Sequence, residues 1–223
     1  MLISSVITAA GRNSRMENSQ IKEGSPIKNK LLLPFPSENS INTVIETTIN
    51  NVLSSDVDEC IVVLGHFAAN IKKALANITD DRVKIIENEN INVDLSTSLL
   101  NGLKHCKNKY VLCSAGDQPT VSSKTYKNII NSLFNLKNPE KSISILRRKN
   151  SGLLKSPEGL GMPFVANKDI LIKYLDNEDS NLNPILRKIF KDQFPFYGVE
   201  EDDSMELINI NNYEDYKFVL NNF

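Results

Sequence analysis

The chain has 223 residues, 40% of them hydrophobic and 24% charged, with a formal net charge of −1. That length and balance suit one globular domain, 1–223, with a proper core, and near-neutrality removes any global attraction to nucleic acid or an anionic membrane, so an anion site must be built locally. No apolar run reaches the ~20 residues of a membrane-spanning helix, the N-terminus lacks the pattern of a signal peptide, and Cys60, Cys106 and Cys113 lack pairing motifs, which reads as a cytoplasmic protein with reduced, buried thiols.

In chain order, LISSVITAA (2–10) is short, apolar and β-permissive, and reads as a buried strand. SINTVIETTINNVLSS carries Ile41, Val44, Ile45, Ile49, Val52 and Leu53 at helical spacing behind a Ser40 cap. ECIVVLG is a strand ending in glycine, and FAANIKKALANI is a helix. RVKIIEN is a strand, VDLSTSLLNGLKHC a helix, KYVLCSAGDQP a strand running into a turn, and SSKTYKNIINSLFNL a helix starting near Ser122. This alternation predicts an α/β domain with a mainly parallel sheet, whose strand C-terminal ends form the ligand edge. After residue 150 the pattern loosens: a strand over 162–166, helices over 169–174 and 182–190, a last strand MELININ and a terminal helix YEDYKFVLNNF.

The segment TAAGRNSRM (8–16) follows the first strand directly. Gly11 lets the backbone approach a ligand closely, and free N–H groups there, with Arg12 and Arg15, suit a phosphate. The same residues also fit an ordinary glycine turn with solvated arginines. Lys30, in NKLLLPF, is either a solvated flank or a cation reaching over a triphosphate. Asp117, in SAGDQP, falls at the same sheet edge as Gly11. A carboxylate facing a triphosphate is well placed only with a divalent cation between them, which makes Asp117 a candidate Mg²⁺ ligand, and a plain turn aspartate otherwise. His66 lies at a strand end without ligand-spaced partners and His105 at a helix end, so neither reads as a metal ligand. Asp94 reads as a helix N-cap that could also face an acceptor.

Gly11, Arg15-Met16, Lys30-Leu31-Leu32, Gly116-Asp117-Gln118-Pro119 and LSTSLLNGL together resemble the MobA-like nucleotidyltransferases that build molybdenum dinucleotide cofactors, and within them the molybdenum cofactor cytidylyltransferases. The similarity runs over most of the chain, including VDECIVVLGHFAANI and YEDY. It implies a Rossmann-like three-layer α/β/α fold with a mostly parallel mixed sheet. It further implies Mg²⁺-dependent transfer of a nucleoside monophosphate, CMP from CTP, to a phosphorylated small-molecule acceptor such as molybdopterin cofactor, with pyrophosphate leaving. Carried over by residue, Ala9, Ala10, Gly11 and Arg12 hold the nucleotide, and Arg15 and Lys30 neutralise the triphosphate and leaving pyrophosphate. Asp117 binds the metal, with Asn209 in the position of the family's second carboxylate, and Ser96 and Ser98 contact base or ribose, unless they simply cap their helix. Chemistry of this kind proceeds by positioning and electrostatics, so it needs no protein nucleophile.

The chain departs from the family in several places. The polar stretch ENSQIKEGSPIKN, expected to be a mobile flap, separates Arg15-Met16 from the lysine and makes Lys28 a second candidate beside Lys30. NINNYED stands where the family has Asp-Ile-Asp-Thr-Pro-Glu-Asp, Gly161-Met162-Pro163 stands for Gly-His-Pro, and DNEDSNLNPILRK replaces a glycine-rich acceptor segment. These changes leave two further readings open: a sugar-phosphate or choline-phosphate nucleotidyltransferase, and a non-catalytic nucleotide sensor of the same fold.

Overall fold

A computed structural model describes residues 2–37, 40–147, 150–176, 178 and 180–222. In chain order the regular elements are β1 (Ile3–Ala9), α1 (Ser14–Lys22), β2 (Pro34–Ser37), β3 (Ser40–Thr43), α2 (Val44–Leu53), β4 (Glu59–Leu64) and α3 (Ala68–Ala74). There follow β5 (Val83–Glu87), α4 (Leu95–His105), β6 (Tyr110–Ala115), α5 (Ser123–Phe134), β7 (Ile143–Leu146), β8 (Gly152–Leu153) and β9 (Phe164–Asn167). The chain closes with α6 (Lys168–Leu175), α7 (Leu182–Lys191), β10 (Phe196–Val199) and α8 (Tyr213–Asn222), with short 3₁₀ turns at Lys30–Leu32 and Ser204–Leu207 among others.

Eight strands form one mixed sheet in the order β5-β4-β1-β6-β9-β7-β10-β8, and β2 and β3 pair as a separate antiparallel ribbon. β5, β4, β1 and β6 run parallel to one another, as do β7 and β10; β9 lies antiparallel to both β6 and β7, and β8 to β10. The central strands are apolar on both faces because helices cover both faces. Along β1, Val6 belongs to one apolar cluster with Leu99 and Leu103 of α4 and with residues of α6 and α7. Ile3, Ile7 and Ala9 belong to the other, with residues of α2, α5 and α8. Two cores on either side of one sheet make the three-layer α/β/α arrangement. Cys60, Cys106 and Cys113 are free and buried within it.

Several local expectations are corrected. Ser40 belongs to β3 and does not cap α2. The cap is Thr43, in a reciprocal capping box with Glu46: the Glu46 amide donates to Thr43 Oγ1 at 3.3 Å, and Glu46 Oε2 accepts from the Thr43 amide at 2.7 Å. MELININ is a 3₁₀ turn followed by extended chain, held by the Ile210 amide donating to the Asp117 carbonyl at 3.0 Å rather than by a strand ladder. The polar stretch after Met16 is no open flap. It continues α1 to Lys22, buries Gln20, and packs on α8, where Ser19 Oγ accepts from the Tyr213 amide at 2.7 Å. Strands β7, β10, β2 and β8 have no counterpart in the sequence reading. Among the described residues no helix is long and apolar enough to cross a membrane.

Candidate active site

A cleft of about 380 Å³ opens at the C-terminal ends of β1 and β6. It brings together Ala9, Ala10, Gly11, Arg15, Lys30, Ser98, Asp117 and Asn209, residues far apart in the chain, and adds Thr8, Asn13, Asn29, Leu31, Val93, Leu95, Ala115, Asn181 and Asn211. Parallel pairing of β1 with β6 explains the first part: with Thr8 level with Ala115, the turn after each strand must open on the same edge.

On the β1 side, no described atom lies within 4 Å of a Cβ built on Gly11, so nothing in the protein itself demands glycine there. Gly11 lines the cleft with its backbone bare, so a ligand could approach it closely. Gly65, at the end of β4, is demanded by the protein: a Cβ would lie 2.9 Å from that of Ala10, so the neighbouring loop presses directly on the Ala10–Gly11 turn. α1 then starts at Ser14 behind Asn13, with no side-chain cap on its first-turn amides. Uncapped amides, the positive end of the helix and Arg15 on its first turn together suit an anion in a chain of nearly neutral charge.

On the β6 side, Asp117 sits in a turn held from two directions. Asn51 of α2 donates through Nδ2 to the carbonyls of Pro119 and Val121 at 3.1 and 2.9 Å, and Thr48 donates to the Gly116 carbonyl at 3.2 Å. From inside, the fully buried Gln118 accepts through Oε1 from the Ala115 amide at 3.1 Å, and donates through Nε2 to Met162 O at 3.0 Å and Asn209 Oδ1 at 3.1 Å. Gln118 thereby sets Asn209 next to the Asp117 turn. Its part was missed in the sequence; a wholly buried carboxamide has to satisfy four hydrogen-bonding positions, but burial is not visible in a turn motif. Behind it, burial pushes the Tyr126 phenol up, so it stays neutral, 2.8 Å from Ser114 Oγ.

The two sides meet in an ion pair between Lys30 Nζ and Asp117 Oδ2, both largely withdrawn from solvent. Asp117 Oδ1 is buried and has no partner among the described residues. A buried carboxylate oxygen left without a donor is costly unless a ligand completes it. With the Asn209 carbonyl it offers two hard oxygen donors, a set that fits Mg²⁺ or Mn²⁺ if water and phosphate oxygens supply the rest. No group of three or more His, Cys, Asp or Glu suited to a metal occurs among the described residues.

The model of the MobA-like NTP transferase domain matches residues 5–192. The chain belongs to that family. That family is one of NTP transferases, and the structural likenesses fit its fold. A nucleotidyl transferase from Methanothermobacter thermautotroptrophicus (Mth528) is 40% identical, with a TM-score of 0.88 over 100% of this chain and 99% of that one. Rv0371c of Mycobacterium tuberculosis, solved in complex with manganese, shares the fold at 20% identity, with a TM-score of 0.66 and 100% of both chains covered. Among curated proteins, the bifunctional protein GlmU of Sulfurimonas denitrificans is 29% identical over 144 residues, 61% of this chain and 30% of its own. GlmU of Acetivibrio thermocellus is 25% identical over 179 residues, 79% of this chain and 34% of its own. This MobA-like chain therefore spans about a third of the length of those curated relatives.

Within this MobA-like cleft, two expected nucleotide contacts lie elsewhere. Ser96 is fully buried, does not line the cleft, and clasps the segment before α7. Its Oγ donates to the Glu178 carbonyl at 2.9 Å and accepts from the Ser180 amide at 3.0 Å. Those bonds use the hydroxyl that base or ribose would need. Arg12 also lies off the cleft lining, exposed, with its guanidinium donating to Asn92 Oδ1 at 3.3 Å. Asp94 holds the N-cap position of α4 without a side-chain cap bond. Ser98 does reach the cleft, accepting from Asn88 Nδ2 at 2.9 Å and donating to the Asp94 carbonyl at 3.3 Å. His105 Nδ1 lies 2.9 Å from the Asn101 carbonyl at the end of α4, a structural place. The His66 amide donates to the Ala10 carbonyl at 3.3 Å, and its Nε2 is buried without a partner among the described residues. Of the altered acceptor segment, Asn177 and Asp179 lie outside the described residues.

Proposed function

We propose that this chain transfers CMP from CTP, with Mg²⁺, to the phosphate of a phosphorylated small acceptor such as molybdopterin cofactor, releasing pyrophosphate. The observation that carries the reading is the partnerless buried oxygen of Asp117 beside Lys30, facing the bare Gly11 turn and the uncapped start of α1.

In this reading the backbone at Ala9–Gly11 lies against the nucleotide, and the first-turn amides of α1 and Arg15 take the phosphates. Lys30 leaves Asp117 for the β,γ-phosphates and stabilises the departing pyrophosphate. Asp117 and Asn209 would hold the Mg²⁺, which, when bound, neutralises triphosphate charge and polarises the α-phosphate. A phosphate oxygen of the acceptor forms a bond to the α-phosphorus as the bond from that phosphorus to the α,β-bridging oxygen breaks. The electron pair leaves with pyrophosphate, so no protein nucleophile takes part.

A sugar phosphate is the second reading for the acceptor, favoured by the carboxamides of Asn181, Asn209 and Asn211 on the cleft wall, which suit hydroxyl groups. Pyrophosphate release decides among these, with CTP, GTP, ATP and UTP each paired with molybdopterin, sugar-phosphate and choline-phosphate acceptors, with and without Mg²⁺. Release with CTP and molybdopterin that needs Mg²⁺ is expected. Release with another pair reassigns donor or acceptor, and none with any pair, despite nucleotide binding, makes the chain a sensor.

A further inference from the structure

Asn13 stands between the Gly11 turn and α1 with a left-handed backbone, φ 63°. Asparagine enters that region more readily than most residues with a side chain. At the N-cap position its side chain would ordinarily accept from the first helical amides, yet it makes no such bond. Instead Oδ1 accepts from the Lys30 amide at 2.9 Å, and Nδ2 donates to the Lys28 carbonyl at 3.3 Å. One side chain thus straps the backbone of residues 28 and 30 to the loop that begins α1. The bond to Lys30 spans 17 positions in sequence. By contrast, Asn29 accepts from the Leu31 amide at 2.8 Å, a bond local to its own turn that ties nothing to α1.

We propose that Asn13 is the positioning residue for Lys30, an inference that rests on the cleft being a triphosphate site. Gln20 of α1 also accepts from the Lys28 amide at 2.9 Å and Leu31 is buried, so the segment as a whole is anchored, and Asn13 supplies the tie at the Lys30 amide itself. A lysine on a four-carbon stem serves as a fixed charge only if its backbone is fixed. The strap supplies that, and because the side chain is turned to Lys28 and Lys30, the amides of α1 stay open to an anion. Asn13 acts through Lys30, without itself having to touch the phosphates.

Asn13→Gly is the informative variant, since glycine keeps the left-handed backbone and removes only the strap. Calorimetry with Mg·CTP, inorganic tripolyphosphate and CMP is run on wild type, Asn13→Gly, Lys30→Ala and the double variant. Asn13→Gly is expected to weaken CTP and tripolyphosphate about tenfold, the scale of one hydrogen bond, and CMP less than about twofold. In the Lys30→Ala background it should change tripolyphosphate affinity by less than about twofold, because the strap acts through an ammonium group that is already gone. Fully additive losses, or equal losses for CMP, overturn the proposal. Hydrogen exchange on the free protein tests the strap separately: the Lys30 amide should exchange about tenfold faster or more in Asn13→Gly, and an unchanged rate overturns the strap. Wild type that binds none of the three probes sinks the function proposed above, while exchange still decides the strap.

Discussion

Asp117 uses its two oxygens differently: Oδ2 pairs with Lys30, and Oδ1 is buried with no partner among the described residues. Asp117→Asn removes the charge both need while keeping the size of the side chain. Pyrophosphate release should fall about a hundredfold or more, the scale of losing one electrostatic contact in a transition state, with the circular dichroism spectrum unchanged. Retained turnover would mean that the carboxylate is only a partner for Lys30. The two lysines separate in the same way. Lys28 is exposed and contributes its carbonyl to Asn13, whereas Lys30 meets Asp117 in the cleft. Lys30→Ala should therefore weaken CTP far more than CMP, and Lys28→Ala should leave both within about twofold, since its side chain touches nothing the strap needs. Titration of both nucleotides checks this, and the reverse order would move the phosphate role to Lys28.

Among the elements, α4 couples the site to the sheet. A Cβ on Gly102 would lie 2.4 Å from Val6 Cγ1 and 2.9 Å from Val63 Cγ2, both on central strands that cannot recoil. Gly102→Ala should therefore destabilise the protein by about 1–3 kcal/mol in urea unfolding, overpacking outweighing the ~1 kcal/mol that alanine adds to helix propensity. A gain in stability would show slack between α4 and β1. The same helix carries Ser98 into the cleft and Ser96 into its clasp on Glu178 and Ser180. Adjacent serines on an amphipathic helix read alike in sequence; only the direction each takes from α4 separates a cleft hydroxyl from a buried strap. For α2, Thr43→Ala should cost about 1 kcal/mol by removing half of the capping box, measured in the same urea transitions.

At the scale of the whole molecule, the three thiols report on both cores. Burial pushes Cys60 and Cys106 up to about 12 from an ordinary 9.0, and raises Cys113 well above it. A thiol-reactive chromophore should label none of them in the native protein at pH 8 and all three in denaturant. Since the folded values are raised, the neutral thiols contribute stability that is complete below about pH 9 and is lost as pH rises towards 12. Midpoints of urea unfolding measured from pH 8 to 11 should fall accordingly, and rapid native labelling would open one of the cores.

The long apolar strands β1, β4, β5 and β6 and the amphipathic helices were legible from composition and periodicity alone, because local hydrophobicity and spacing decide them. That the Gly11 turn, Lys30 and Asp117 would share one edge was expected through the family resemblance, which rests on short contiguous motifs, and all three line one cleft. β7 (ISIL) and β10 (FYGV) escaped notice because four residues carry too little pattern, and their strand state comes from the ladder they make with each other and with β9 and β8. The first part of the stretch read as a flap, 17–22, belongs to α1, which packs on α8, almost two hundred positions away. Likewise, nothing local says that Gln118 fixes Asn209, that Asn13 holds Lys30, or that Ser96 faces away from the cleft. The sequence by itself determined which segments are strands or helices and which residue types carry charge to one edge; only the tertiary structure decided which side chains meet there, because contacts between distant segments depend on strand order and helix packing, which no short window of residues contains.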